Sequence, residues 1–127
     1  MTAADPSCLR NKRILVVEDE MLIALAYEDM LTGLGCVPIG PAPSVERALL
    51  LLDDQVPDAA ILDGNLNGQL STPVAQRLCD GNIPFLLVTG YETMATADPV
   101  LRQARRVSKP VNPRRLLIEM VEAFCAC

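Results

Sequence analysis

Short apolar runs recur along the chain, and segments of helical pattern separate them. Residues 14–17 and 84–88 are apolar at every position, and residues 59–62 repeat this pattern. A strand that is apolar throughout fits a parallel sheet whose two faces are both covered by helices. Strands that alternate with helices therefore predict an α/β protein built on a doubly wound parallel sheet.

Five strands and five helices are expected. The strands span residues 13–18, 36–40, 59–62, 84–88 and 106–108. The first helix spans residues 20–34, the second begins at Ser44 and the third at Ser71. The fourth is a short or irregular segment within residues 92–103, and the fifth runs from Asn112 to residue 124. Pro38 falls within the second strand. It places that strand at an edge of the sheet, because proline cannot donate a ladder hydrogen bond.

Length and charge limit the classes of function. The chain has 127 residues, which is enough for one domain around a single core. Its formal net charge of −5 argues against a general nucleic-acid binder, because phosphate contacts need a basic surface. No apolar run approaches the ~20 residues of a membrane-spanning helix. We therefore expect a soluble monomer or weak homodimer with no nucleic-acid and no membrane partner.

The cysteines and the N-terminal segment both favour the cytoplasm. Five cysteines without paired spacing fit a reduced, intracellular chain better than a disulfide framework. Cys125 and Cys127 are expected at the frayed end of the last helix. Residues 1–12 are polar and lack the apolar core of a secretory signal, so they are interpreted as a flexible leader before a domain over residues 13–125.

Polar side chains follow the apolar strands at the points where these strands end. Glu18 and Asp19 follow the first strand, Asp63 the third, Thr89 the fourth and Lys109 the fifth. The carboxyl ends of parallel strands share one edge of the sheet, where ligands of doubly wound folds bind. Repulsion between the carboxylates at this edge requires a cation or a shared proton.

This set of side chains is suited to phosphoryl chemistry. Carboxylates close together favour Mg²⁺. With the cation bound, Asp63 can act as an oxygen nucleophile toward phosphorus, while Lys109 and the Thr89 hydroxyl contact the phosphoryl oxygens. The chain contains no histidine, so a phosphohistidine donor would have to come from another protein.

In order and type, these residues resemble the receiver domain of two-component response regulators. The resemblance implies an acidic pair at Glu18 and Asp19, a phosphoacceptor at Asp63, a metal-binding backbone carbonyl at Asn65, a switch hydroxyl at Thr89 and a charge-sensing lysine at Lys109 before Pro110. It also implies Mg²⁺ as cofactor and the flavodoxin-like strand order 2-1-3-4-5. Residues 84–91 are similar to the Pro-Phe-x-x-x-Thr-Gly-Tyr segment of some receivers.

Three positions depart from the commonest family pattern. Glu18 replaces the more usual Asp, and Asn67 stands where Pro is frequent, which would loosen the loop after Asp63. Arg106 occupies the position of the usual switch aromatic, three residues before the lysine. Tyr91 is the nearest substitute for that aromatic.

The resemblance implies a single-domain response regulator, which is not an enzyme. It would receive a phosphoryl group from a histidine kinase or a histidine phosphotransfer protein and signal by contact with an unknown downstream protein. Two alternatives stay open. One is a phosphatase of the haloacid dehalogenase type, which also uses an Asp nucleophile with Mg²⁺. The other is a receiver fold that serves as a binding module without phosphorylation.

Overall fold

The computed structural model describes residues 5–90 and 98–125. Its main sheet has five parallel strands in the order β2-β1-β3-β6-β7. The strands in chain order are β1 (Arg13–Val17), β2 (Val37–Ala42), β3 (Ala59–Asp63), β4 (Asn65–Leu66), β5 (Gln69–Leu70), β6 (Phe85–Thr89) and β7 (Arg106–Ser108). With the small β4–β5 pair set aside, the order is the flavodoxin-like 2-1-3-4-5, so the predicted fold class is confirmed.

Helices cover both faces of this sheet. They are α1 (Met21–Gly33), α2 (Val45–Asp54), α3 (Thr72–Asp80), α4 (Pro99–Arg102) and α5 (Pro113–Phe124), preceded by a 3-10 helix at Pro6–Leu9. One buried apolar cluster joins the sheet to α2, α3 and α4, and a second joins it to α1 and α5. None of the helices in the described ranges is long and apolar enough to cross a membrane.

Side-chain caps fix two helix starts at the positions that the sequence indicates. The Ser44 hydroxyl accepts a hydrogen bond from the backbone N–H of Arg47. The Asn112 side chain accepts from the N–H groups of Arg114 and Arg115. Each cap satisfies donors that have no partner within the helix. Because Asn112 caps α5, this helix begins at Pro113, close after Lys109.

Residues 5–12, which belong to the segment expected as a flexible leader, lie against the domain. The 3-10 helix packs against α5, and Leu9 is fully buried in the cluster that contains Phe124. Asn11 and Lys12 continue the contact, because the Asn11 N–H donates to the carbonyl of Gly35. Burial of one leucine is worth roughly 1.5–3 kcal/mol, which favours contact between this segment and the domain.

A disulfide joins this segment to the end of α5. Cys8 and Cys125 are bonded, with their Cα atoms 5.9 Å apart. The expectation of unpaired cysteines and of Cys125 at a frayed helix end is therefore wrong. The cause is the packing of Leu9, which brings two residues separated by 117 positions together. Cys36 and Cys79 are free, the first buried and the second exposed.

Candidate functional site

Three carboxylates meet at the carboxyl edge of the sheet. One oxygen each from Glu18, Asp19 and Asp63 lies within 4.8 Å of the other two. Glu18 and Asp19 directly follow β1, and Asp63 is the last residue of β3, the next strand in the sheet. The sequence-based expectation that the ends of these two strands bring carboxylates together agrees with this geometry.

Asp63 is held from two sides. Its side chain is only 3% exposed, and its Oδ1 accepts the backbone N–H of Asn65 over 3.1 Å. Its Oδ2 accepts from the Lys109 Nζ, also over 3.1 Å. A buried carboxylate needs such partners, because an unpaired charge in the interior is costly. Asp63 is thus paired with the Lys109 ammonium through one carboxylate oxygen and with a backbone N–H through the other.

Lys109 reaches the site from the end of β7. Its backbone N–H donates to the carbonyl of Thr89, which fixes the start of the loop that follows. Burial alone would lower the pKa of Lys109, but the hydrogen bond to Asp63 and the negative charges of Asp63, Glu18 and Asp19 raise it above its usual value. The ammonium is therefore fully charged at neutral pH.

Glu18 is the most deeply buried acid of the cluster, with 2% of its surface exposed. Burial raises its pKa to about 7; the N–H of Glu20 opposes this shift and the charge of Asp63 adds to it. That N–H donates to Oε2 over 3.0 Å. The other oxygen, Oε1, is buried and has no hydrogen-bond partner among the described residues. Glu18 thus has an acceptor left for a cation or another donor.

A small hairpin, which the sequence analysis did not predict, holds Asp19. Asn67 and Gly68 connect β4 to β5 with φ of 54° and 87°, the positive values of a type I′ turn. The N–H of Asn67 donates to Asp19 Oδ2 over 3.0 Å. Asn67 was expected to loosen the loop after Asp63, and this expectation is wrong: asparagine tolerates positive φ, so it closes a tight turn there.

Thr89 lies on the other face of the sheet from Asp63. Side chains two residues apart on a strand share a face of the sheet. Leu87, two residues before Thr89, belongs to the cluster under α2 and α3, whereas Ile61, two residues before Asp63, belongs to the cluster under α1 and α5. The Thr89 hydroxyl is buried and donates to the carbonyl of Gly90 over 2.9 Å. Thr89 is therefore at the correct edge, with its hydroxyl engaged locally.

Arg106 and Tyr91 are the two remaining predicted switch positions. Arg106 is exposed at the start of β7, and its guanidinium donates to the backbone carbonyl of Arg102 at the end of α4. This side chain thus ties β7 to α4 on the surface. Tyr91 lies outside the described residues.

An apolar groove lies beside Lys109, between α1 and the loop that leads to α5. It has a volume of about 660 Å³. Leu22 and Met30 of α1 line one side, and Pro110 and Val111 line the other. Met21 and Leu22 at the start of α1 are strongly exposed although they are large and apolar. A surface of this kind indicates a contact site for another molecule.

The family is defined by comparison with known proteins. The response regulator receiver domain matches residues 14–121, which is most of the chain. This is a signalling module, and the chain belongs to the receiver domain family of response regulators. No curated protein matches the chain.

Solved structures agree with this assignment. SdrG from Sphingomonas melonis Fr1 is 38% identical, with a TM-score of 0.73 over 94% of this chain and 96% of that one. PhyR from Brucella abortus is 26% identical, with a TM-score of 0.78 over 94% of this chain and 51% of that one, so this chain matches about half of it. A response regulator from Chloroflexus aurantiacus, 23% identical with a TM-score of 0.75 over 92% of this chain and all of that one, shares the fold.

Proposed function

We propose that this receiver accepts a phosphoryl group on Asp63 and acts as a response regulator. The observation that carries the proposal is the environment of Asp63: a buried carboxylate with two acidic neighbours on one side and the Lys109 ammonium on the other. Such a carboxylate is held in one orientation beside a positive charge, which is what an oxygen nucleophile toward phosphorus needs.

The proposed transfer exchanges one bond to phosphorus for another. A bond forms between an oxygen of Asp63 and phosphorus while the bond from phosphorus to a histidine nitrogen of the donor breaks. The electron pair stays on the imidazole, which takes a proton from solvent. Lys109 then pairs with a phosphoryl oxygen in place of Oδ2, and the Thr89 hydroxyl turns from Gly90 to donate to another.

Mg²⁺ fits the acidic cluster. Receiver domains typically bind Mg²⁺ at an acidic pocket, and the carboxylates of Glu18, Asp19 and Asp63 offer hard oxygen ligands, with one buried oxygen of Glu18 unpaired. Asn65 would add its backbone carbonyl. When bound, the cation supplies positive charge that stabilises the phosphoryl oxygens. The protein's own part is to hold these oxygens close together against their mutual repulsion.

The phosphodonor and the downstream target of the signal are both other proteins. A histidine kinase or a histidine phosphotransfer protein must bring the histidine, because this chain has none. The groove beside Lys109 is the proposed docking place, since a partner held there is next to Asp63. The output is contact with a downstream protein in the cytoplasm rather than catalytic turnover, with Arg106 and Tyr91 as the proposed switch residues.

The test is phosphorylation by a small phosphodonor. Wild-type protein with Mg²⁺ and acetyl phosphate is expected to gain the mass of one phosphoryl group in intact-protein mass spectrometry, and Asp63→Asn is expected to gain none. Asp53→Asn is the matched control, because Asp53 pairs with Arg77 on the surface. Equal labelling of wild-type protein and Asp63→Asn would overturn the proposal.

Enzymatic turnover is the second outcome to measure. A phosphatase of the haloacid dehalogenase type would release many equivalents of phosphate from a monoester, whereas a receiver forms one aspartyl phosphate per chain. We expect no more than one equivalent, measured as free phosphate over time with a phosphate monoester as substrate.

A further inference from the structure

The hydroxyl of Tyr27 is a buried donor that the proposed phosphoryl transfer does not use. Tyr27 lies in α1 and is 5% exposed, with its ring in the apolar cluster between the sheet and helices α1 and α5. Its hydroxyl is buried and has no hydrogen-bond partner in residues 5–90 and 98–125. A buried hydroxyl without a partner is unfavourable by about 1–3 kcal/mol, so its position requires a reason.

The acidic cluster lies on the same side of the sheet as this hydroxyl. Ile14 and Val16 of β1 belong to the cluster that contains Tyr27, and side chains alternate along a strand, so Glu18 continues their face. Asp63 continues the face of Ile61 in the same way. The Tyr27 ring therefore lies beneath the acidic edge of the sheet.

The electrostatic environment of Tyr27 agrees with this position. Burial raises the pKa of the Tyr27 hydroxyl, and the negative charges of Glu18 and Asp63 raise it further. The hydroxyl thus keeps its proton and remains a donor. On the same side of the sheet is an acceptor in the same situation: Glu18 Oε1 is buried and has no partner among the described residues.

From this juxtaposition of one unpaired donor and one unpaired acceptor, we infer that Tyr27 is a positioning residue for Glu18. The Tyr27 hydroxyl donates to one bound water, which in turn donates to Oε1 of the Glu18 carboxylate and so holds that carboxylate toward Asp19 and Asp63. The inference rests on the proposed function, because it gives Glu18 its place in a Mg²⁺ site. It adds a residue outside the acidic cluster that sets how well the cluster binds the cation.

The physical reason lies in the length of the glutamate side chain. In the described structure, one hydrogen bond, from Glu20 to Oε2, orients the Glu18 carboxylate. A second bond, to Oε1, removes the remaining freedom of rotation. Groups that orient metal-binding carboxylates typically change metal affinity by about 10–100-fold when they are removed.

Tyr27→Phe removes the donor and keeps the ring. We expect this variant to bind Mg²⁺ about tenfold more weakly than wild-type protein at pH 8, measured by isothermal titration calorimetry without any phosphodonor. Leu31→Val is the control: Leu31 is fully buried on the same helix, one turn further along, so this change loosens the packing without removing a polar atom. Leu31→Val is expected to lose stability and to keep wild-type Mg²⁺ affinity.

A double-mutant cycle separates positioning of Glu18 from a general effect on α1. In a Glu18→Gln background, Tyr27→Phe is expected to produce no further loss of Mg²⁺ affinity. Equal loss in both backgrounds, or no loss in either, would refute the role of Tyr27.

A second readout is independent of the metal and of phosphorylation. The same cycle, measured by urea denaturation in EDTA at pH 8, is expected to show coupling between Tyr27 and Glu18 of more than about threefold in the unfolding equilibrium constant. If wild-type protein binds no Mg²⁺ and takes no phosphoryl group, the proposed function fails. If coupling is absent in EDTA while Mg²⁺ binds normally, only the role of Tyr27 fails.

Discussion

At the scale of single residues, the buried Glu18 carboxyl makes the metal-free protein sensitive to pH. Its pKa is about 7 in the folded chain against an ordinary value of 4.5. Between these values the folded state holds a proton that the unfolded state has released. The contribution of Glu18 to stability is therefore fully present below about pH 4.5 and is lost as the pH rises through about 7.

We expect the free energy of unfolding in EDTA to fall between pH 5 and pH 7.5 more steeply for wild-type protein than for Glu18→Gln, which cannot ionise. Urea denaturation at a series of pH values measures this difference. Equal slopes for the two proteins would show that Glu18 does not titrate in this range. Mg²⁺ competes with the proton for the same oxygens, so its affinity should rise over the same interval.

Lys109 provides the positive charge that pairs with Asp63, and its removal should lower the free energy of unfolding. In Lys109→Gln the buried Asp63 carboxylate loses an ammonium at 3.1 Å. We expect a loss of about 1–3 kcal/mol in the free energy of unfolding, the usual cost of a buried acceptor left without its partner. Thermal denaturation measures it, and Lys12→Gln controls for the loss of one positive charge. A loss equal to that of Lys12→Gln would contradict the pairing.

The charged residues of this site could be identified from the sequence, but the buried tyrosine proposed to position Glu18 could not. Glu18, Asp63 and Lys109 are recognisable because each is a charged residue directly after an apolar strand. Tyr27 gives no such signal, because a tyrosine at helical spacing has the same pattern as an ordinary core residue. Only the three-dimensional structure shows that its hydroxyl is buried near carboxylates.

At the scale of secondary structure, the β4–β5 hairpin is the element that positions Asp19. Its turn depends on two residues with positive φ, Asn67 and Gly68. Gly68→Ala forces a side chain into this conformation, although no atom would contact the new Cβ. We expect Gly68→Ala to lower the free energy of unfolding by about 1–2 kcal/mol.

Asn67→Pro should be more harmful, because proline requires a φ near −65° and also removes the N–H that Asp19 accepts. It is expected to weaken Mg²⁺ binding as well as stability, measured by calorimetry and urea denaturation. Gly33→Ala is the control at an exposed position of α1 with open space around it. Gly33→Ala makes the same glycine-to-alanine change as Gly68→Ala, and at this position it should stabilise the protein by about 0.5–1 kcal/mol. Wild-type stability in Asn67→Pro would show that the turn has no such role.

Strands β1, β3 and β6 were predictable because each contains a continuous apolar run, and helices α2 and α5 because each has a capped start. The hairpin was not, because its strands have two residues each and carry no periodic pattern. The Asn67-Gly68 dipeptide was its one local signal, since this pair is typical of type I′ turns. The family pattern, in which Pro is frequent at position 67, instead indicated a looser loop after β3, and that expectation is wrong.

At the scale of the whole molecule, the doubly wound sheet followed from the sequence and its strand order from the resemblance to receiver domains, but the covalent link between the ends did not. A doubly wound topology is nearly determined once apolar strands alternate with helices. The Cys8–Cys125 pair has no such signal, because spacing along the chain does not show which cysteines become neighbours. The buried Leu9 side chain, which brings them together, is one apolar residue in a polar segment.

The disulfide should contribute strongly to stability because it closes a long loop. For residues separated by 117 positions, the loss of chain entropy in the unfolded state corresponds to about 4–5 kcal/mol. We expect Cys8→Ser with Cys125→Ser to lower the free energy of unfolding by up to this amount in urea denaturation without reductant. Cys79→Ser, at an exposed free cysteine, is the control. With reductant present, the difference between wild-type and double-variant protein should disappear.

The same bond turns nearly the entire receiver into a closed covalent ring. A single cut by a protease in any loop between Cys8 and Cys125 opens the ring but leaves both pieces in one molecule, and both pieces still share the core. The nicked chain is then equivalent to a circular permutant, with new ends at the cut. Oxidised protein should therefore survive a single proteolytic cut as one particle, and it should separate into two fragments only when the disulfide is reduced under denaturing conditions.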